Sequence, residues 1–178
     1  MFDLLFNITD WLRNTFLLDL AFWITETPLS LFMVENFWNV PLAQVVHILG
    51  IGATFGATLM LSLRVLGKAG THQTLTAQAD RYISWTWWGL LVIVISGLLM
   101  ITAEPIRNMV NAVFWIKMVA LLLVVLLSIG FQKKVRAAGA SGAVDGQVTG
   151  GMKGSAWLIL FLWALIMLCG RWIAYVPV

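Results

Sequence analysis

Residues 112–132 read AVFWIKMVALLLVVLLSIGFQ, and this stretch carries a single charged side chain, that of Lys117. A helix needs ~20 mostly apolar residues to cross the ~30 Å hydrocarbon core of a membrane. The stretch therefore predicts a membrane-spanning helix. Three further stretches have the same character, which places the predicted spans at about 41–65, 82–103, 112–132 and 155–175.

The composition of the whole chain is that of a membrane protein. Of its 178 residues, 61% are hydrophobic and only 11% are charged, whereas an ordinary soluble domain is about 45–50% apolar and about 25% charged. Four spans joined by short loops predict an all-α integral membrane protein, an antiparallel four-helix transmembrane bundle. A β-barrel would show alternating segments of about ten residues, and the sequence has none.

The first 35 residues differ, because charged residues interrupt their apolar stretches too often for a span. Their apolar residues recur at helical spacing, at Leu4, Leu5, Ile8, Leu12 and Phe16. This pattern predicts a helix lying in the membrane interface, followed by a turn at Pro28 and a short second piece. A loosely ordered tail is the alternative. We therefore divide the chain into an interfacial segment on the outer side, residues 1–35, and a four-span membrane domain, residues 36–178.

Basic residues concentrate in two of the connections between spans. These residues are Arg64, Lys68, Arg81, Lys133, Lys134, Arg136 and Lys153. Because cytoplasmic flanks carry an excess of Lys and Arg, we expect both termini on the opposite side. In a bacterium this orientation means an inner (plasma) membrane protein with periplasmic termini. The net charge of +3 reflects this topology and contact with membrane lipids rather than nucleic acid.

Three ionisable residues lie within the predicted spans: His47, Lys117 and Arg171. At about 1.5 Å of rise per residue, His47 lies ~9 Å and Lys117 ~8 Å past the outer start of their spans, and Arg171 lies about one turn from the outer end of the last span. Ionisable groups inside a span usually face the bundle interior or a wet cavity. We therefore expect the three residues to share an outer-side site for an anionic or carbonyl-bearing group, such as a quinone or a lipid head.

The first span also carries a polar face at three- and four-residue spacing. That face consists of Gln44, His47, Ile51, Thr54, Thr58 and Ser62, so Gln44 joins the predicted ligand-binding site. The alternative for the three hydroxyls is a hydrogen bond back to a carbonyl of their own helix. Gly52 and Gly56 lie on another face, and their spacing predicts close helix packing there.

The short connection between the second and third spans adds Glu104 and Arg107 to the predicted site. Glu104 is the acidic residue close enough in sequence to pair with Lys117 or Arg171, and we expect either this pairing or an anionic ligand between the cations. A salt bridge within the connection itself is the simpler alternative.

Soft metal ligands lie at the level of His47, namely Met100, Met109 and Cys169. A ligand set of His, Met and Cys suits copper, and a set of His and Met suits a haem iron. A metal site would therefore use His47 and Met100. Packing is the alternative role for the methionines. His72 lies more than ~30 Å from His47 if one helix joins them. We therefore expect a solvated His72 and no bis-His haem site within one chain.

Several short motifs resemble those of a known family. They are His47-Ile-Leu-Gly50, Gly56, Leu63-Arg64-Val-Leu-Gly67, Trp87-Trp88-Gly89, Ser96-Gly97 and Asn111-Ala-Val-Phe-Trp-Ile-Lys117-Met118. From about Pro28 to Lys133, the chain resembles a small uncharacterised bacterial family of four-span membrane proteins. It is more distantly similar to four-helix membrane cytochromes b and to CopD-type copper proteins. That distant resemblance implies a ligand role for His47, although the spans lack the second His of the cytochrome pattern.

The sequence contains no phosphate-binding Gly-rich loop, no Ser/His/Asp set, no zinc-ligand spacing and no paired carboxylates. We therefore expect a non-catalytic accessory or ligand-binding subunit of an inner-membrane redox assembly. Its partners would be other membrane subunits or further copies of itself. Two alternatives stay open: a redox carrier that holds one haem b through His47, and a copper or small-solute transporter.

Overall fold

The computed structural model describes residues 2–140 and 148–176, and within these ranges it contains helices and connections but no strand. The helices are α1 (Phe2–Arg13), α2 (Phe16–Thr25), α3 (Pro28–Glu35), α4 (Asn39–Val65), α5 (Leu75–Ala103), α6 (Pro105–Met109), α7 (Ala112–Ala140) and α8 (Gly150–Trp172). In the part of the chain described, four single helices are long and apolar enough to cross a membrane, namely α4, α5, α7 and α8. The predicted fold class is confirmed: this is a multi-pass, all-α membrane protein with a four-helix bundle and an N-terminal helical segment.

The spanning helices extend beyond the apolar stretches that predict them. Helix α5 begins at Leu75 instead of about residue 82, and α7 continues to Ala140 instead of about residue 132. Helix α8 begins at Gly150, about five residues early, and ends at Trp172, about three residues early. The extensions carry most of the charged side chains of these helices, because a helix that leaves the hydrocarbon keeps its own backbone hydrogen bonds while its side chains are hydrated.

The surface of the spanning helices is apolar, as lipid contact requires. In each spanning helix, only 28% to 39% of an apolar stretch of 18 residues is buried inside the protein. Large aliphatic side chains cover the rest of these helices, for example Ile48 at 65% and Leu49 at 67% exposure. An apolar surface of this extent marks a membrane-facing region rather than a water-facing one.

Side-chain oxygens cap the starts of several helices, where backbone N–H groups have no partner within the helix. The Asn111 Oδ1 atom accepts a hydrogen bond of 2.9 Å from the Val113 N–H at the start of α7. Hydroxyls serve the same purpose at the starts of α3, α5 and α8, through Thr27, Thr74 and Thr149.

Helix α4 ends in a Schellman motif at Gly67, whose φ of 71° is readily reached only by glycine. The Lys68 N–H donates to the Leu63 carbonyl at 2.9 Å, and the Gly67 N–H donates to the Arg64 carbonyl at 3.1 Å. The Arg64 side chain is 1% exposed, and its guanidinium donates twice to the Gln73 carbonyl, at 3.2 and 3.0 Å. Arg64 therefore organises the connection between α4 and α5, although the charge pattern alone assigns it to a lipid-contacting flank.

The N-terminal segment forms three helices: the short second piece beginning at Pro28 is confirmed as α3, whereas the single helix expected before it is two helices, α1 and α2. Thr15 interrupts the first helix because its hydroxyl caps α2, accepting a hydrogen bond from the Leu17 N–H at 3.4 Å. Helix α2 packs against α1 and α6, and Ala21 within it is fully buried. This packing contradicts the alternative of a loosely ordered tail.

The apolar stripe of the N-terminal segment is partly exposed, at two of its four described residues. Phe16 is 71% and Ile8 37% exposed, whereas Leu12 is buried, and the Leu4 side chain lies outside the described residues. Helices α2 and α3, bent by 64° at their junction, together also meet the length and hydropathy of a span. The interfacial location of residues 1–35 stays a prediction.

The chain divides into two compact units. Unit 1 comprises Met1–Leu49, Val92–Val119 and Ile166–Val178, and unit 2 comprises Gly50–Leu91 and Ala120–Leu165. Each spanning helix contributes one part of its length to each unit. The residues of the predicted site all belong to unit 1.

Candidate functional site

The His47 imidazole is anchored by a serine on the neighbouring helix. His47 Nδ1 lies 2.9 Å from Ser96 Oγ, and Ser96 Oγ lies 2.6 Å from the Val92 carbonyl oxygen of its own helix. A serine hydroxyl has one proton to donate, and the Val92 carbonyl is able only to accept. Ser96 therefore donates to Val92 and accepts from His47, so that the imidazole carries its proton on Nδ1.

Gly97 leaves the space that the imidazole occupies. A Cβ atom at this position would lie 3.3 Å from His47 Cε1 and 3.7 Å from Nδ1. The half-buried ring is thus held between the Ser96 hydroxyl and the bare backbone of Gly97. The Ser96-Gly97 pair belongs to the motifs quoted above, but nothing in the sequence links it to His47, and both residues were missing from the predicted site.

No side chain of the described residues forms a hydrogen bond with the second ring nitrogen of His47, Nε2. The Ile93 carbonyl oxygen, 3.3 Å from Ser96 Oγ, acts on the ring as an acceptor, and a carbonyl oxygen has no proton to donate to Nε2. With the proton on Nδ1, Nε2 presents a lone pair that accepts a hydrogen bond or binds a metal ion. The same arrangement, with the distal nitrogen fixed by a hydrogen bond, is typical of metal-ligating histidines.

Lys117 lies within electrostatic range of the His47 imidazole. Its charge also acts, separately, on the Cys169 thiol. Lys117 is half-buried, and no residue in the described ranges forms a salt bridge or hydrogen bond with it. Cys169 is a free, buried thiol. The site therefore combines an acceptor nitrogen with an unpaired cation.

Arg171 binds Tyr175 rather than either of these groups, and Gln44 forms no hydrogen bond with them among the described residues. The Arg171 guanidinium donates to the Tyr175 hydroxyl at 2.7 Å and lies 5.1 Å from the centre of the same ring. Both side chains are exposed. Gln44 is also exposed. The Lys117 charge thus lies within electrostatic range of His47, whereas the Arg171 guanidinium binds Tyr175.

Glu104 and Arg107 form a salt bridge within their own connection. Arg107 Nη1 lies 2.9 Å from Glu104 Oε2, with both side chains about half exposed, and Arg107 Nη2 donates to the Ala174 carbonyl at 3.2 Å. The pairing of Glu104 with Lys117 or Arg171 is therefore wrong and the simpler alternative is confirmed, whereas the other expectation, an anionic ligand between the cations, stays a prediction. Glu104 is engaged by Arg107 because the two residues lie three apart across the first turn of α6.

Of the soft metal ligands, Met100 has a packing role. Met100 packs on the buried cluster of Met33, Ala43 and Ala103. The Met109 carbonyl accepts a hydrogen bond from the Trp115 indole at 2.8 Å. In the described ranges no group of three or more His, Cys, Asp or Glu side chains converges as metal ligands, and His72 lies exposed in the connection between α4 and α5.

The polar face of α4 continues in unit 2 as buried hydroxyls. Thr54, Thr58 and Ser62 are at most 5% exposed, and none of their hydroxyls has a hydrogen-bond partner within the described residues. The alternative that they bond back to their own helix is therefore wrong. The hydroxyls of Thr86 and Thr102 do bond back in this way, at 2.9 and 2.8 Å.

Among the described residues, the close helix packing expected at Gly52 and Gly56 is absent. Apart from the adjoining residues and the backbone of α4 itself, no described atom lies within 4 Å of a Cβ built on either residue. Gly89 on α5 makes the close approach instead, because a Cβ there would overlap the Thr54 hydroxyl and lie 3.2 Å from the Gly50 carbonyl. The small-residue spacing in α4 thus identifies the wrong glycines, since it contains no information about the neighbouring helix.

Comparison with known proteins extends over most of the chain. The model of a family of unknown function, DUF6644, matches residues 29–176, which cover α3 to α8 and therefore the whole candidate site. No curated protein and no solved structure matches the chain.

Proposed function

The chain belongs to the family of unknown function DUF6644, and we propose from its site that it is a non-catalytic, ligand-binding subunit of a membrane redox assembly. The ligand is an anionic or carbonyl-bearing group, such as a quinone head, held at His47 and Lys117. The observation that carries this proposal is the Nδ1–Ser96 hydrogen bond, because it leaves Nε2 as an acceptor beside an unpaired ammonium.

Quinone chemistry suits this pair of groups. An ammonium donates hydrogen bonds to a quinone carbonyl, and a neutral imidazole nitrogen accepts one from a quinol hydroxyl. Inside a membrane, a cation without a counter-ion is costly, which favours occupancy by a ligand that is anionic or rich in electrons. The free thiol of Cys169 adds a soft, polarisable neighbour.

We further propose the bacterial inner membrane as the location, with both termini in the periplasm. The support is the distribution of Lys and Arg among the connections. The described residues lie almost entirely in spanning helices and the N-terminal helical segment. A chain with so little mass outside the membrane fits a role beside other membrane subunits or further copies of itself.

The test is purification from the native host in mild detergent, followed by extraction and quantification of bound quinones and by identification of co-migrating membrane proteins. We expect near-stoichiometric quinone in the wild type and a loss of about tenfold in His47→Ala and Lys117→Met. Lys133→Met is the matched control, since it removes an exposed ammonium from the same helix. A ligand-free, monomeric wild type, or equal quinone content in all variants, would contradict the proposal.

A second candidate is a redox carrier with one haem b on His47. The observation that favours it is again the anchored Nδ1, which directs Nε2 toward a metal, and the distant resemblance to membrane cytochromes b points the same way. The other ligand would be Met100, water or a group from another copy. A Soret band that disappears in His47→Ala would support this candidate, and absence of the band in protein from the native host would exclude it.

A further inference from the structure

Helices α5 and α7 line a cleft in unit 2, the unit that does not contain the proposed site. Its volume is about 430 Å³. The lining residues are Ile83, Ser84, Trp87, Trp88 and Leu91 of α5 and Arg136 of α7. This α5–α7 cleft therefore has mainly apolar and aromatic walls and a single charged group.

A hydrogen bond between side chains fixes the shape of the α5–α7 cleft. The Trp87 indole donates to Gln132 Oε1 at 2.9 Å, and Gln132 is buried. Gln132 and Arg136 are four residues apart on α7, so they lie on the same face of that helix. The Trp87–Gln132 bond thus connects α5 to α7 one turn away from Arg136 and holds the two walls of the cleft in place.

The polar groups of the cleft gather at one end. Arg136 and Ser84 are exposed, and no residue of the described ranges pairs with either side chain. Leu91 lies two turns further along α5 than Ser84, roughly 10 Å at 1.5 Å per residue. One end of the cleft therefore offers a cation and a hydroxyl, and the other end offers apolar surface.

We propose that this cleft binds one anionic phospholipid. The phosphate accepts hydrogen bonds from the Arg136 guanidinium and the Ser84 hydroxyl, and an acyl chain lies along Trp88 and Leu91. Arg binds phosphate through a planar fork of donors, and clusters of basic residues beside a spanning helix attract anionic lipids. Lys133 and Lys134, on the preceding turn of α7, add to this attraction.

The chemistry of the walls selects a lipid over a soluble anion. Trp88 is 66% exposed, and exposed tryptophans near the end of an apolar stretch are typical of residues at the level of lipid head groups. An inorganic phosphate ion would gain nothing from Trp88 or Leu91, whereas an acyl chain buries apolar surface against both. The unpaired charge of Arg136 selects anionic over zwitterionic head groups.

Native mass spectrometry of delipidated, full-length protein tests the assignment. The protein is mixed with equal amounts of phosphatidylglycerol and phosphatidylcholine in detergent micelles, and the retained lipid is counted. We expect the wild type to retain phosphatidylglycerol in about fivefold preference, and Arg136→Ala to lose that preference. Lys134→Ala, which removes a neighbouring cation that does not line the cleft, is the matched control and should keep most of it.

Two further measurements distinguish binding of the acyl chain from binding of the phosphate. Trp88→Ala should weaken retention of both lipids, because it removes the acyl-chain wall and leaves the charge. Inorganic phosphate at millimolar concentration should not displace phosphatidylglycerol. Equal loss of preference in Arg136→Ala and Lys134→Ala would show a diffuse charge effect, and displacement by phosphate would show a soluble-anion site. Either result would overturn the proposal.

Discussion

The polar face of α4 is treated differently in the two units. In unit 1 the His47 ring on this face is hydrogen-bonded to Ser96 of α5 at 2.9 Å. In unit 2 the hydroxyls of Thr54, Thr58 and Ser62 on the same face are buried without a partner in the described residues. The face therefore holds an oriented group in unit 1, whereas in unit 2 its hydroxyls stay unpartnered.

The comparison shows why one pattern in α4 has two meanings. Residues at three- and four-residue spacing, all of them polar except Ile51, continue along the helix from Gln44 to Ser62. In unit 1 a serine of α5 meets this face, and the result is an oriented imidazole. In unit 2 Gly89 of α5 meets it, so the backbones come close and the facing side offers no side-chain acceptor. The residue opposite decides whether the polar face forms a site.

The largest expected effect comes from adding a side chain at Gly89, where α4 and α5 approach each other closely in unit 2. Gly89→Val places side-chain atoms where the Thr54 hydroxyl and the Gly50 carbonyl already lie, so α4 and α5 must separate. We expect a loss of about 3 kcal/mol or more in the free energy of unfolding, or failure to form detergent-stable protein. Denaturant-induced unfolding in mixed micelles, followed by circular dichroism, measures it.

Gly52→Val is the matched control for Gly89→Val, because no described atom outside the adjoining residues and the backbone of α4 itself lies within 4 Å of a Cβ at Gly52. We expect a change below about 1 kcal/mol there, since valine also has the better helix propensity. Similar losses in both variants would contradict the assignment of Gly89 as the contact point.

A smaller effect is expected from the anchor of the imidazole in unit 1. Ser96→Ala removes the acceptor for the His47 Nδ1 proton, so the proton distributes between the two ring nitrogens. The ¹⁵N chemical shifts of the ring should move from the Nδ1–H tautomer toward a mixture, and retention of the ligand should fall by about tenfold.

Thr102→Ala serves as the control for Ser96→Ala, because the Thr102 hydroxyl also bonds back to its own helix, at 2.8 Å, but has no His47 partner. It should leave the imidazole shifts unchanged. Unaltered shifts in Ser96→Ala as well would mean that the Nδ1 proton is held by another group.

The smallest effect concerns the unpartnered hydroxyls. Thr58→Val replaces a buried hydroxyl that makes no hydrogen bond to the described residues, so we expect the free energy of unfolding to stay the same or rise by up to about 1 kcal/mol. Thr86→Val removes a hydroxyl bonded to the Tyr82 carbonyl at 2.9 Å and should lower it by about 1 kcal/mol. If both variants lost stability equally, Thr58 would have a partner such as bound water.

Hydropathy alone predicts the four spans, because ~20 apolar residues must lie in the hydrocarbon whatever their neighbours are. The helix ends are predicted less well, since the chain stays helical after it leaves the apolar region and stops only where a local signal ends it. Such a signal is the Schellman glycine, Gly67. In the N-terminal segment the local signal is Thr15, whose hydroxyl caps the start of a new helix.

Local sequence also limits the candidate site, because an ionisable residue in a span is rare enough to be noticed. His47 and Lys117 stand out for this reason, and the Lys117 charge lies within electrostatic range of the His47 ring. Arg171 stands out equally, but the aromatic hydroxyl of Tyr175, one turn on, engages it instead. Sequence spacing gives the depth of each charge and says nothing of the partner that lies beside it.

The partners are decided only when the helices pack. Ser96 faces His47, Gly89 faces Thr54, and Glu104 turns to Arg107, and each pairing depends on how two elements approach each other. Hydrophobic periodicity sets which residues enter the membrane, since transfer into lipid is a property of each segment by itself. A hydrogen bond or a close contact is a property of two groups at once, so which hydroxyl orients an imidazole, and which stays without a partner, is set by tertiary structure.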